Sequence, residues 1–442
     1  MRTARNLGIA LLVLVAPRLA ALALQPSEDR AIDEASAKRY FEEAREFSLR
    51  DGGRLWGVEL HGPMLFADPA TRQVVANQAD KQGRLQERDG VFVGSLPADQ
   101  NVANTAVTWA GIHWTMVVWP LPEDRRDRLR LMMHEMWHRV QDRIGLPAGN
   151  PANAHLDSRD GRVWLQLEWR ALAAALGAAD AERRTSVEDA LVFRAHRRSL
   201  FPKAAEEERA LEMNEGLAEY TGIRLSAGSR AEAIDSAVQA LRGAHQADTF
   251  IRSFAYASGP AYGLLLDEAG TDWRAGLKPD HDLGDMLGAA LAIERGARGA
   301  ADATSRLGRY QAEDLLKAED HREAQRQVKR VELRRRFVEG PVVVIPLRMM
   351  NVQFNPNNLQ PLDDLGTVYP TGRISDVWGI LSVSGGMLLS PNWNSVRVPA
   401  PAAPEGHPLA GDGWTLELNE GWTLEPGERP GDYRVALKPA GD

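Results

Sequence analysis

The 442-residue chain contains no cysteine. Disulfides are therefore excluded, as is a lipid anchor attached through cysteine, and any zinc site must use histidine and carboxylate ligands. Basic residues are also in short supply: 53 Lys and Arg face 61 Asp and Glu, a formal net charge of −8. That balance lacks the basic footprint of a nucleic-acid-binding protein. No Gly-rich phosphate loop, Ser-His-Asp signature or dinucleotide motif stands out. Beyond the first two dozen residues no apolar run is long enough to span a bilayer. Hydrophobic content of 44% and charged content of 26% are those of an ordinary globular protein, with length for two or three domains.

The chain begins differently. Arg2 and Arg5 precede the apolar run Leu7–Ala16, Arg18 interrupts it, and small residues follow at Ala21 and Ala23. This pattern predicts a signal peptide over 1–23, cleaved near Ala23, rather than an uncleaved anchor. Cleavage removes three arginines and takes the formal charge from −8 to −11. An exported chain rich in Ala and Arg suggests a bacterial periplasm or the extracellular space.

Three textures follow, and together they predict an α+β protein. Residues 26–50 read as a helix with Ser27 as N-cap, and alternating runs over about 54–119 read as an antiparallel sheet. These form the N-terminal part, 24–120, of a catalytic unit. Helical periodicity over 121–308 marks its metal-binding region, with helices expected at 122–143, 161–177, 185–199, 204–226, 229–243, 258–268 and 283–296. A charged connecting helix is expected over 309–339, and a β-rich domain over 340–442. In that domain the echo GWTLE at 413–417 and 421–425 suggests a hairpin, and Trp378, Trp393, Trp414 and Trp422 look exposed.

The stretch MMHEMWHR carries the chemistry. Pro122, Glu123 and Asp124 supply helix-starting residues, and Gly145 with Pro147 supplies a stop. Between them His134 and His138 lie one turn apart on one face, and Glu135 is placed to reach a water beside an ion held by both. Met132, Met133, Met136 and Trp137 are more simply core. A third ligand is needed. In LEMNEGLAEYTG, Glu215 and Glu219 share a helical face, and Gly216 lets that helix approach the first closely. The physical assignment is Glu215 as ligand and Glu219 as the acceptor orienting a ligand imidazole. Asp157 and Glu168 compete for the third position. The other histidines, His113 and His155 included, lack ligand spacing.

HEMWH followed by NEGLAEY resembles the gluzincin zinc metallopeptidases, which include the thermolysin-like and M1 peptidases. The resemblance covers these two motifs, the preceding sheet in layout and a weaker third motif; the C-terminal domain resembles no family. It implies Zn2+ bound by His134, His138 and Glu215, Glu135 as general base, and Glu219 hydrogen-bonded to a ligand histidine, with Asn214 beside them. The third motif, SFAYASGPAYG, resembles a segment whose tyrosine steadies the oxyanion, which points to Tyr256, with Tyr262 as runner-up.

Two departures qualify the likeness. His138 and Asn214 are 76 positions apart, a wider interval than in those enzymes, so about two helices must be inserted. The stretch TWAGIHWTMVVW (108–119) has no acid to grip a free amine, so aminopeptidase activity is not supported; that strand is instead expected to offer an edge to an extended peptide. The function expected is zinc-dependent hydrolysis of peptides or proteins. The alternatives are a non-peptidase zinc hydrolase, or a non-catalytic envelope binding protein with a structural metal site.

Overall fold

The computed structural model describes residues 9–11, 31–293, 300–355 and 358–438. The protein is α+β, with a sheet near the N-terminus, a helical middle and a β-rich C-terminal region. Apart from 9–11, where β1 (Ile9–Leu11) lies parallel to a later strand, the expected signal peptide falls outside the described residues. Two compact units are present: one takes described residues of Val15–Leu96 and Asn104–Asp320, the other those of Met1–Leu14, Pro97–Ala103 and His321–Asp442.

The first unit opens with α1 (Glu34–Asp51), capped by Asp33, whose carboxylate accepts from the Ser36 N–H. The sheet contains β2 (Met64–Ala67), β3 (Gln73–Ala76), β4 (Gln86–Arg88), β5 (Val91–Ser95), β6 (Thr105–Trp109) and β7 (Ile112–Val118). Their order is β4-β5-β3-β2-β7-β6, antiparallel except for the parallel pair β2 and β7. The run at 54–60, expected as a strand, forms turns instead. Its Trp56 and Leu60 are buried because they fill the core between α1 and the helices.

Helices then follow: α2 (Arg125–Ile144), α3 (Arg159–Gly177), α4 (Asp180–Leu200), α5 (Ala204–Leu211), α6 (Leu217–Ser226), α7 (Arg230–Gly243), α8 (Ser253–Glu268), α9 (Leu283–Ala290), α10 (Ala300–Ser305) and α11 (Ala312–Arg334). A single widened turn, Glu212–Gly216, joins α5 to α6, so the expected helix at 204–226 is interrupted there. One core fuses sheet and helices. Phe66, Val75 and Val117 of the sheet join Met132, Met136, Trp137 and Val140 of α2 in it, and Trp137 packs on Trp56 at 4.3 Å. Most of α11 is exposed, as its charge pattern predicts.

The second unit holds two sheets built from β8 (Val342–Pro346), β9 (Asn351–Phe354), β10 (Gln360–Pro361), β11 (Thr367–Tyr369), β12 (Gly372–Asp376), β13 (Gly379–Val383), β14 (Met387–Leu389), β15 (Ser395–Pro399), β16 (Leu409–Gly411), β17 (Trp414–Leu418), β18 (Trp422–Pro426) and β19 (Tyr433–Leu437). Their orders are β1-β9-β12-β13-β17-β16 and β10-β11-β14-β15-β8-β19-β18. Phe354 of one sheet meets Tyr369 of the other edge to face at 4.9 Å.

Two expectations fail here. The GWTLE pair is not a hairpin: β17 pairs with β13 and β16, while β18 pairs with β19 in the other sheet. Each copy turns its Trp inward, which fits a chain crossing between sheets better than a folded-back ribbon. Trp378, Trp414 and Trp422 are buried, and Trp393 is half-buried. The indoles of Trp378 and Trp414 donate to the carbonyls of Pro346 and Pro399, so burying them leaves no N–H unpaired.

Candidate metal centre

The site begins with how α2 is anchored. Asp124 is its N-cap, accepting from the N–H groups of Arg126 and Asp127 at 2.9 Å, and Gly145 ends it with φ of 86°. Trp137 and the methionines turn into the core, which leaves His134 and His138 on the face toward α6 and α8.

Glu219 of α6 accepts from His134 Nδ1 at 2.7 Å. Gln141, one turn along α2, accepts from His138 Nδ1 at 2.6 Å through Oε1, because its amide nitrogen already donates to the Leu146 carbonyl and Asn214 Oδ1. With a proton fixed on each Nδ1, each Nε2 is the ring position left for a cation or a further proton. These two atoms lie 3.2 Å apart, and Glu215 Oε2 lies 3.5 Å from one and 3.6 Å from the other. Two ligands about 2.0–2.1 Å from one ion at a tetrahedral angle sit roughly 3.3 Å apart. The donor set therefore fits a small divalent cation, and two imidazoles with a carboxylate suit zinc among several first-row metals.

The same convergence sets the charge states. Burial alone would lower the His134 pKa, yet its hydrogen bonds to Glu215 and Glu219 raise it to about 10. Burial opposes ionisation of Glu215, but the two imidazoles and the Arg252 guanidinium hold it well below the usual carboxylate range. Glu219 is also lowered: burial is outweighed by Arg130 and by His134. A proton or a cation must fill the space among these atoms.

Glu135 is fully buried, and neither of its carboxylate oxygens has a hydrogen-bond partner among the described residues. Its Oε1 stands 4.0 Å from His134 Nε2. Burial raises its pKa to about 7 against the pull of both histidines. An unsatisfied buried carboxylate costs about 1–3 kcal/mol or more, a cost tolerated where the group has chemical work.

Glu215 is supported by Arg252, which no motif encodes, and by Tyr256 of the third motif, whose hydroxyl the resemblance assigns to an oxyanion instead. Arg252 donates to its Oε1 at 3.1 Å, and the Tyr256 hydroxyl donates to its Oε2 at 2.5 Å. Tyr256 also stacks on His134, with ring centroids 5.5 Å apart. Its hydroxyl thus rests on the carboxylate of the donor set. Asn214 bridges Gln141 and the Gly149 carbonyl, tying the two motifs together. Arg130 pairs with Glu219.

Gly216 packs against α8 rather than α2: a Cβ there would lie 3.0 Å from Gly259 Cα, and one on Gly259 would lie 2.3 Å from Gly216 Cα. The glycine facing α2 is Gly222, whose Cβ would meet the Arg130 carbonyl at 2.7 Å. The expected close approach is real, but its partners differ.

The competitors lie elsewhere. Glu168 is bound by Arg194, Arg197 and the Tyr262 hydroxyl, so neither Glu168 nor Tyr262 joins the donor set. Asp157 accepts from Thr249 Oγ1 and the Phe250 N–H. Helices α3 and α4 lie between the two motifs in the chain, and their ion network reaches the site. Arg194 also binds Glu212, one turn before Glu215, while Arg197 binds Glu208 of α5. The edge expected at 108–119 is displaced. Strand β7 is paired on both sides, whereas β6 is the sheet's edge strand, with β7 as its one strand partner among the described residues.

No family model, curated protein or solved structure matches this chain. Its functional reading rests on the site itself.

Proposed function

We propose that this chain is an exported zinc-dependent metallopeptidase of gluzincin type, with His134, His138 and Glu215 as ligands and Glu135 as general base. The observation that carries the reading is the meeting of three electron-rich atoms, each separated by 3.2–3.6 Å, beside a buried carboxylate without a partner. A zinc ion held there supplies Lewis acidity toward water and toward a substrate carbonyl.

The chain's own residues supply the rest. Glu135, its pKa raised by burial to about 7, takes the proton from the attacking water and passes it to the leaving amine. Glu219 and Gln141 keep the imidazoles in the tautomer that points Nε2 inward. Arg252 and Tyr256 hold Glu215 in place, and Tyr256 can donate to a developing oxyanion only by leaving that carboxylate. Among the described residues the donor set has three members, which favours a catalytic site with an open position over a closed structural one. As the sheet's edge strand, β6 is the place where an extended peptide would pair, the feature that favours peptide substrates over small esters. The N-terminal sequence supports export.

Glu135→Gln tests the reading. The variant should keep its metal yet lose at least about a hundredfold in hydrolysis of a quenched-fluorescent peptide library. Hydrolysis at the wild-type rate removes Glu135 from the mechanism.

A further inference from the structure

A second feature of the first unit lies at the ends of α1, α2 and α6, where a cleft of about 890 Å³ opens to solvent. Six arginines line it: Arg50, Arg54, Arg125, Arg126, Arg224 and Arg274. In a chain of net charge −8, such a gathering needs a reason.

Three carboxylates share the lining, but each is engaged with backbone. Asp51 accepts from the Leu55 N–H, Asp124 caps α2, and Glu232 accepts from the Gly228 N–H. Four of the arginines have acidic partners: Arg50 pairs with Glu46, Arg125 with Glu43, and Arg224 and Arg274 with Asp267. Arg54 and Arg126 have no ion-pair partner among the described residues. Arg54 is nonetheless fixed, its guanidinium donating to the Asp51 and Arg50 carbonyls at the end of α1.

The cations are also pre-arranged. The guanidinium carbons of Arg50 and Arg125 lie 4.6 Å and 4.9 Å from the centroid of the same Phe47 ring. This holds two like charges at one wall of the cleft. The 20-residue α2 begins at the same place, its first N–H groups already capped by Asp124, so the arginine side chains are the donors left for a ligand. Planar guanidinium groups match phosphate oxygens two at a time, and the cleft has the volume of a small-molecule site.

We propose that this cleft binds a phosphate-bearing anion, with Arg54 and Arg126 as its principal donors. The site is separate from the metal centre and independent of the hydrolytic reading. The ligand's phosphates come either from a soluble organophosphate or from an anionic lipid headgroup.

Calorimetric titration of the full chain with inorganic pyrophosphate tests the proposal. Binding should be measurable, weaken as salt is raised, and fall at least about tenfold in Arg54→Ala/Arg126→Ala. The charge-matched control Arg84→Ala/Arg242→Ala alters two exposed arginines outside the cleft and should bind as wild type. Co-sedimentation with phosphatidylglycerol vesicles identifies the source. Capture lost in the Arg54/Arg126 variant points to a headgroup, whereas pyrophosphate binding without capture points to a soluble ligand. No pyrophosphate binding, or equal weakening in both double variants, overturns the site.

Discussion

Glu219→Ala probes the arrangement where its effect can be worked through. The carboxylate is 1% exposed, accepts from His134 Nδ1 at 2.7 Å and pairs with Arg130. Truncation leaves the imidazole N–H without an acceptor and frees the ring to turn or change tautomer. Loss of such an outer partner typically lowers metal affinity 10–100-fold, or about 1.4–2.7 kcal/mol. Folding stability falls separately, because breaking a buried ion pair costs about 3–5 kcal/mol. The Arg130 side chain remains 19% exposed and can recover some hydration, which places the loss toward the lower end. Glu219→Gln keeps an acceptor oxygen and should lose less on both counts. Zinc affinity is read by competition with a chromogenic chelator. Urea denaturation in excess chelator gives the metal-free stability alone. Wild-type zinc affinity in the alanine variant would refute the orienting role, even if the protein were destabilised.

Other expectations follow from the same contacts. Tyr256→Phe removes a donor from Glu215 Oε2; a positioning role predicts weaker zinc binding, whereas a role on the oxyanion alone predicts lower kcat with zinc affinity unchanged. Gly259→Ala puts a Cβ 2.3 Å from the Gly216 backbone, so the denaturation midpoint should drop by the equivalent of about 1–3 kcal/mol, and an unchanged midpoint would mean that α8 yields freely. Asp282 is held well below the usual carboxylate range, since Arg194 and Arg198 outweigh burial. Its contribution is thus present above its unfolded pKa of about 3.9 and fades as pH drops toward the native value. Asp282→Asn should therefore be less stable than wild type at pH 7, with a gap that narrows below about pH 4. A gap independent of pH contradicts the assignment.

Much of the site was legible because its parts are local. Four-residue spacing fixed His134 with His138, and Glu215 with Glu219, before any fold was known. What escaped depends on partners distant in sequence. Arg252 reaches Glu215 across 37 positions and Arg130 reaches Glu219 across 89, and nothing in an arginine's own neighbourhood names its carboxylate. Gln141 was closer to hand: three residues after His138 on the same helix, it carries the only local signal that was missed. Asp157 and Glu168 could be dismissed only once Thr249, Arg194 and Arg197 were seen to occupy them. In the β-rich unit, the pattern of β17 and β18 located the strands but not their partners. Period-two alternation specifies a buried face, not the sheet to which that face belongs.

The central claim is that His134, His138 and Glu215 hold one divalent cation, and metal content tests it most directly. The protein equilibrated with zinc and freed of excess should carry about one zinc per chain by mass spectrometry. His138→Ala and Glu215→Ala should each lose it while remaining folded by circular dichroism. Protein that retains no metal, or variants that hold it as tightly as the wild type, would contradict the account.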